Sequence, residues 1–242
     1  MHVDVIGTIA EATTDDLLHR TVIVIDALRA TSTLTTALAY GASGVVPVET
    51  VQQAKQLQQP GDLLGGERAC KKIPGFDLGN SPSEYRADIV QGRRVVMTTT
   101  NGTRGIQKAQ RASRVLAGSF LNARACAAAA AELQRDIAII CAGTQDVFSW
   151  EDGLCAGLIA DELLRLQPVE LNDLGLALLA GYRYEQKDLA AALLATSNGR
   201  RLSRIGFRDD VLFCAQCNVY DIVPMLHEGV LVPLGKIPPH RP

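Results

Sequence analysis

The sequence has 242 residues, a formal net charge of −2, 21% charged residues and 5% aromatic residues. This near-neutral balance offers no basic field for nucleic acid or a membrane surface, and the few aromatics make base stacking a poor hypothesis. No stretch approaches the ~18 apolar residues of a membrane span and the amino-terminal residues lack an export pattern, so we expect a cytoplasmic protein whose six cysteines are free thiols.

Short apolar stretches, each followed by a polar or glycine turn and then a helical stretch, recur through the first 166 residues. The predicted strands lie at 3–6, 22–25, 45–48, 63–64, 94–97, 115–118 and 136–141. The predicted helices lie at 32–40, 51–58, 104–112, 122–133 and 154–166. This alternation predicts an α/β fold, with a mainly parallel sheet covered by helices on both faces.

The remaining residues have a different texture. Helices are predicted at 172–185 and 188–195 and end at Ser197-Asn198-Gly199, and a strand or short helix is predicted near 211–215. The proline-rich tail from 230 to 242 is expected to be irregular. We expect residues 1–242 to form a single domain, with a subdivision near Pro168 as the alternative.

Polar side chains follow most of the predicted strands. In an open α/β sheet, ligands bind beyond the carboxyl ends of the strands, so these side chains are expected to share a site. They are Asp26, Arg29, Glu67, Arg68, Thr99, Thr100, Asn101, Thr103, Ser119, Asn122, Glu151 and Asp152.

The residue types in this set suit a phosphate ester. Carboxylates are ligands that Mg²⁺ prefers, and arginine guanidinium groups match phosphate or sulfonate oxygens in pairs. The turn TTTNGT at 98–103 offers hydroxyl and backbone N–H groups to an anion. The sequence therefore predicts phosphate-ester hydrolysis, with a metal and arginines stabilising the developing charge.

Each motif also has a plain structural interpretation. The 98–103 segment could be an ordinary turn, Glu67-Arg68 a surface pair, Glu151-Asp152 an acidic helix start and 77–82 a series of caps. No GxxxxGK[ST] or GxGxxG motif is present, which disfavours nucleotide enzymes. The lone CxxC at 214–217 has no second ligand pair, so structural cysteines are expected there.

Several long motifs, in order along nearly the whole chain, resemble the 2-phosphosulfolactate phosphatase family. They are VIDALRATST at 24–33, GER at 66–68, GFDLGNSP at 75–82, TTTNGT at 98–103, GSFLNA at 118–123, CAG with WED between 141 and 152, GFRDDVLFCAQ at 206–216 and DIVP at 221–224. The order and length of these motifs make the resemblance specific.

The resemblance implies a three-layer α/β/α fold peculiar to the family, with a mainly parallel or mixed sheet. It also implies a Mg²⁺-dependent phosphatase that converts 2-phospho-3-sulfolactate to 3-sulfolactate, on the family's route to coenzyme M. The expected partner is a small anionic phosphate ester, and a homodimer is the assembly we expect if subunits associate. The alternatives are a phosphatase for another small phosphorylated acid, or a non-catalytic anion-binding protein.

Carried onto this chain, the resemblance assigns roles to the polar residues. The candidates for metal binding or acid–base work are Asp26, Glu67 and Asp152. The candidates for binding anionic groups are Arg29, Arg68, Thr99, Thr100, Asn101, Gly102 and Thr103, with Asn80, Ser119 and Asn122 orienting the substrate. A metal-bound water is the first candidate nucleophile, and Asp26 as a covalent phosphoryl acceptor is the second.

Overall fold

The apolar stretches predicted as strands are buried because helices cover both faces of the sheet. The structure is a computed structural model that describes residues 1–236. Its strands are β1 (His2–Ile6), β2 (Thr21–Ile25), β3 (Gly44–Val48), β4 (Leu63–Arg68), β5 (Lys71–Lys72), β6 (Arg94–Thr98), β7 (Arg114–Gly118), β8 (Ile137–Cys141), β9 (Glu170–Leu171), β10 (Pro224–His227) and β11 (Val230–Pro233).

The α-helices connect these strands and extend the chain beyond the last parallel strand. They are α1 (Thr14–Leu17), α2 (Ala30–Ala39), α3 (Val51–Leu57), α4 (Ala87–Val90), α5 (Gly102–Lys108), α6 (Ala123–Glu132), α7 (Trp150–Leu166), α8 (Asp173–Glu185), α9 (Leu189–Ala195), α10 (Ser197–Arg204) and α11 (Arg208–Cys214). None of the helices within residues 1–236 combines the length and apolar character that a membrane crossing needs.

All the strands of the described chain belong to one mixed sheet, in the order β5-β4-β6-β3-β11-β10-β7-β2-β8-β1-β9. We call β4-β6-β3 the β6 group and β7-β2-β8-β1-β9 the β2 group. Strands within each group are parallel, which confirms the predicted α/β class. An antiparallel hairpin, β10–β11, lies between the two groups.

This hairpin contradicts the irregular tail expected from residue 230. Residues 230–233 form β11 at the centre of the sheet, and residues 237–242 lie outside the described chain. Strands on both sides of Pro168 pair within the same sheet, because β9 pairs with β1 and the hairpin joins β3 to β7. A division into two domains near residue 168, the alternative to a single domain, therefore would not separate two sheets.

The hairpin reverses the strand direction between the two groups. The segments that follow β2 and β6 nevertheless meet: a Cβ built on Gly102, which follows β6, would lie 2.8 Å from Oδ2 of Asp26, which follows β2.

Alternation along β2 shows the three layers. Ile23 and Ile25 pack into a core that includes α6 and α7, whereas Val22 and Val24 pack into a second core that includes α2. The alanine-rich helix α6 is suited to this position because its small side chains allow close packing on the sheet.

One prediction for the helical region is wrong and one is confirmed. Residues 197–199 are predicted to end the helices, but Ser197 begins α10, where the Thr196 side chain caps it. The stretch near 211–215, predicted as a strand or a short helix, lies mostly in the helix α11. Helix α10 forms part of the wall of the cavity described next.

Candidate functional site

A cavity of about 210 Å³ lies where β2, β4, β6 and β8 end, and α10 closes one side. Its volume is below the roughly 300–1,000 Å³ of pockets for drug-sized ligands, so it suits a small metabolite. It is lined by Asp26, Leu28, Arg29, Glu67, Arg68, Ala69, Cys70, Asn80, Thr100, Asn101, Thr144, Gln145, Asn198, Arg201 and Leu202.

Asp26 is the buried carboxylate at the carboxyl end of β2. Its Oδ1 accepts a hydrogen bond from the Ala30 N–H (3.2 Å), and the Thr31 hydroxyl binds the Asp26 backbone. Burial raises the pKa of Asp26 to about 6, and the charges of Glu67 and Glu151 add to that rise. A carboxyl group with this pKa can gain and lose a proton near neutral pH.

Glu67 fixes the turn that follows β6. Its Oε1 accepts hydrogen bonds from the Thr100 N–H (2.9 Å) and hydroxyl (2.8 Å), and its Oε2 accepts one from the Cys70 N–H (2.6 Å). The carboxylate thereby connects β4, the loop that begins at Ala69 and the turn that contains Asn101.

Arg68 brings a positive charge to the cavity and has no carboxylate partner among residues 1–236. Its guanidinium donates to the backbone oxygens of Glu67 (2.7 Å) and Glu49 (2.8 Å) and to the Thr98 hydroxyl (2.9 Å). These neutral acceptors hold the side chain in place and leave its charge uncompensated, as an anion-binding residue requires.

Arg29 is held in place by Asp210 and Phe207. It forms a buried ion pair with Asp210, and its guanidinium carbon lies 4.3 Å from the centre of the Phe207 ring. Ser81 Oγ donates to the other oxygen of Asp210 (2.7 Å). Arg29 lines the cavity, but α11 already supplies a counter-charge for it.

The loop after β8 and helix α10 form a wall of the cavity that was not predicted from the sequence. Asn198 Nδ2 donates to Thr144 Oγ1 (2.8 Å) and Glu151 Oε1 (2.9 Å), and Arg201 lies one helical turn further on. No strand immediately precedes Asn198 or Arg201, so the strand-end rule could not find them. An arginine-rich helix, SNGRRLSR, was the available signal.

Asn80 carries a spare acceptor in this wall. The residue is 6% exposed and lines the cavity, and its Oδ1 is buried without a hydrogen-bond partner within the described chain. A buried unpaired oxygen is costly, so it is a natural place for a ligand donor or a cation.

Four residues that were predicted to contact the substrate form hydrogen bonds with backbone groups and with each other instead. Thr99 and Thr103 bind each other's backbone at the start of α5, with distances of 3.1–3.2 Å. Asn122 Oδ1 accepts from the Ser119 N–H (2.9 Å) and hydroxyl (3.0 Å), and its Nδ2 donates to the oxygens of Ala117 and Ile222. The structure does not bring these four side chains to the cavity.

Asp152 lies behind Asp26 and does not line the cavity. Its two oxygens accept hydrogen bonds from the N–H groups of Ala27 (2.8 Å) and Gly143 (2.9 Å). Burial, and then the charges of Asp26 and Glu151, raise the pKa of Asp152 well above its usual range. Asp152 thus joins the loops after β2 and β8, while Glu151 holds Asn198.

Asp26, Glu67 and Asp152, which were predicted together as metal ligands, therefore do not all line the cavity. Within residues 1–236, no three His, Cys, Asp or Glu side chains form a group that could hold a metal ion. Mg²⁺, however, is commonly bound by one or two carboxylates together with substrate phosphate and water. Asp26, Glu67 and Asn80 line one cavity, and the unpaired Asn80 Oδ1 is buried within the described chain, so oxygen donors are present for such a shared site.

The cysteines agree with the expectation of free thiols. Cys126, Cys141, Cys155 and Cys214 are buried and Cys217 is exposed. Cys70 lines the cavity, and burial raises the pKa of its thiol, so it is a poor nucleophile there.

Comparisons with known proteins show which family the sequence is similar to. The profile of the 2-phosphosulpholactate phosphatase family matches residues 8–229. A "Probable 2-phosphosulfolactate phosphatase" of Symbiobacterium thermophilum is 46% identical over 90% of this chain and 96% of its own length. Proteins of the same name from Clostridium novyi and Thermotoga maritima are 40% and 43% identical, over 94% and 88% of this chain and 97% and 92% of their own lengths.

Proposed function

The chain belongs to the 2-phosphosulpholactate phosphatase family, and from this premise we propose that it hydrolyses 2-phospho-3-sulfolactate to 3-sulfolactate and phosphate with the help of Mg²⁺. The observation that carries the proposal is a small cavity lined by two buried carboxylates, Asp26 and Glu67, and by three arginines. A substrate with phosphate, carboxylate and sulfonate groups matches the arginines, and a divalent cation matches the carboxylates.

In this proposal the phosphate binds at the side of the cavity formed by the end of β4 and the turn after β6. Arg68 and the Asn101 turn lie there, and Arg68 has no carboxylate to neutralise it among the described residues. Preorganised donors of this kind stabilise the charge that develops on the phosphoryl oxygens, because they need no reorganisation when the reaction occurs.

Asp26 is the residue proposed to move a proton. As the ionised form it accepts a proton from the water that attacks phosphorus, and it returns a proton to the C2 oxygen as the P–O bond breaks. A pKa of about 6, caused mainly by burial, makes both protonation states accessible near neutrality. Asp152 supports this group by holding the Ala27 and Gly143 amides in place.

Mg²⁺ is part of the proposal, and Glu67 and Asn80 are the residues that would hold it beside Asp26, together with substrate phosphate and water. When bound, it would neutralise the facing carboxylates and the phosphate oxygens. Glu67 also keeps Thr100 and Cys70 in position through three hydrogen bonds.

Phosphate release from 2-phosphosulfolactate by the purified protein tests this function. We expect turnover that requires Mg²⁺, stops on chelation and returns when Mg²⁺ is restored. Faster release from phospholactate or phosphoglycolate would favour another small phosphorylated acid as substrate. Tight binding without any release would favour the anion-binding alternative.

A further inference from the structure

Resting on that function, we propose that Arg201 binds the substrate's sulfonate and so determines the preference for a sulfonated substrate. Arg201 belongs to α10, which no motif of the resemblance covers, and it lines the cavity beside Asn198. It lies in no ion pair among the residues that the structure describes.

The helix that carries Arg201 is firmly positioned. Thr196 caps it by accepting from the Gly199 N–H (3.0 Å), and Asn198 ties it to the loop after β8. A Cβ built on Gly199 would lie 1.9 Å from the Leu193 oxygen, so α10 packs on α9 as closely as a glycine permits. Leu202 anchors the next position in the core. The Arg201 side chain therefore starts from a fixed point on the cavity wall.

The charges of the cavity leave a role for this guanidinium. Arg29 is paired with Asp210, so Arg68 and Arg201 are the lining arginines without a carboxylate partner within residues 1–236. Arg201 and Cys70 line the same cavity, and the Arg201 charge opposes the rise in the Cys70 pKa that burial causes. A ligand with three anionic groups needs more than the charge of Arg68 alone.

The position of Arg201 favours the sulfonate over the other two groups. The phosphate must lie near Asp26 and Arg68, at the ends of β2 and β4, whereas Arg201 comes from the helical wall. The sulfonate sits on a methylene carbon, so it reaches one bond farther from the phosphate-bearing carbon than the carboxylate does. Its three oxygens accept a guanidinium fork as phosphate oxygens do.

The test compares two substrates that differ only in the sulfonate, 2-phosphosulfolactate and 2-phospholactate. For Arg201→Ala we expect kcat/KM to fall roughly 10- to 100-fold with the first, mostly through KM, and to stay within about twofold with the second. Arg201→Lys should recover part of the loss. Arg200→Ala is the matched control, because the Arg200 guanidinium donates to the Ala195 oxygen and does not line the cavity.

An equal loss with both substrates, or no loss with either, would overturn the assignment. Calorimetric binding of 3-sulfolactate and lactate separates this inference from the function on which it rests. If the unmodified protein binds 3-sulfolactate through Arg201 but releases no phosphate, the proposed hydrolysis fails and the sulfonate site stands. If Arg201→Ala binds 3-sulfolactate as tightly as the unmodified protein does, the sulfonate site fails.

Discussion

Two sets of polar residues follow strands in this sequence, yet they have different surroundings. The cavity set, Asp26, Glu67, Arg68 and Asn101, lines one small space. The frame set, Ser119, Asn122 and Asp152, has its polar side-chain atoms bonded to nearby backbone and to each other. The comparison teaches that position at a strand end is not sufficient for a functional role. What separates the sets is whether the residue lines the cavity, because Glu67 and Arg68 also bond to backbone groups.

The largest expected effect concerns Asp26. In Asp26→Asn the proposed proton transfer is lost, and we expect kcat to fall by roughly 10²–10⁴-fold in a phosphate-release assay. The exposed Asp15→Asn is a matched control that should retain full activity. A loss of less than about tenfold in Asp26→Asn would remove Asp26 from the catalytic role.

The next effect concerns the frame set. Asn122→Ala leaves the Ser119 donors and the oxygens of Ala117 and Ile222 without partners in a fully buried place. We expect the free energy of unfolding, measured in urea, to fall by about 3 kcal/mol. The folded fraction should keep its kcat. Lost activity with unchanged stability would instead place Asn122 with the substrate, as the sequence predicted.

The pH dependence of stability provides a third comparison. The pKa of Asp26 is raised to about 6 from the ordinary value of 3.8, so the folded state holds a proton that the unfolded state has lost between these values. The proton on Asp26 therefore stabilises the folded state fully below about pH 4, and this stabilisation is lost as the pH rises through 6.

In metal-free protein at pH 8, Asp26→Asn should therefore be more stable than the unmodified protein, by on the order of 1–3 kcal/mol. The advantage should shrink towards pH 4. Urea unfolding at both pH values measures it, and a less stable variant at pH 8 would show that Asp26 supports the fold instead of straining it.

The smallest effect concerns Arg29, which belongs partly to each set because it lines the cavity and is bound by Asp210. Phe207→Leu removes the ring that lies 4.3 Å from its guanidinium carbon. We expect a loss of about 1 kcal/mol in unfolding free energy and less than about a fivefold loss in kcat/KM. A much larger kinetic loss would place Arg29 among the substrate-binding residues in its own right.

Much of this architecture could be predicted because parallel strands leave a clear sequence pattern. The four apolar residues VIVI at 22–25, followed by Asp26, predicted a strand with a site at its carboxyl end, and in the structure they lie in β2 directly before the cavity. The hairpin β10–β11 could not be predicted in this way. Its four-residue strands carry prolines at 224 and 233, and one pair of residues joins each strand to the neighbouring group.

The site was predictable where it follows strands and, for Asn80, where a motif of the family resemblance covers the loop. Asp26, Glu67, Arg68, Thr100 and Asn101 were identified and line the cavity. Arg201 could not be identified, because helical periodicity alone does not say that it faces the cavity while Arg200 turns away. That distinction depends on the packing of α10 against α9, which involves residues far from the strands.

A crystal structure with Mg²⁺ and 3-sulfolactate would test the central claim most directly, which is that distant segments converge into one substrate cavity. We predict that the ligand lies between Arg68 and Arg201, with its C2 oxygen towards Asp26. Density for 3-sulfolactate at Ser119 and Asn122, or at any place that Asp26 does not line, would contradict it.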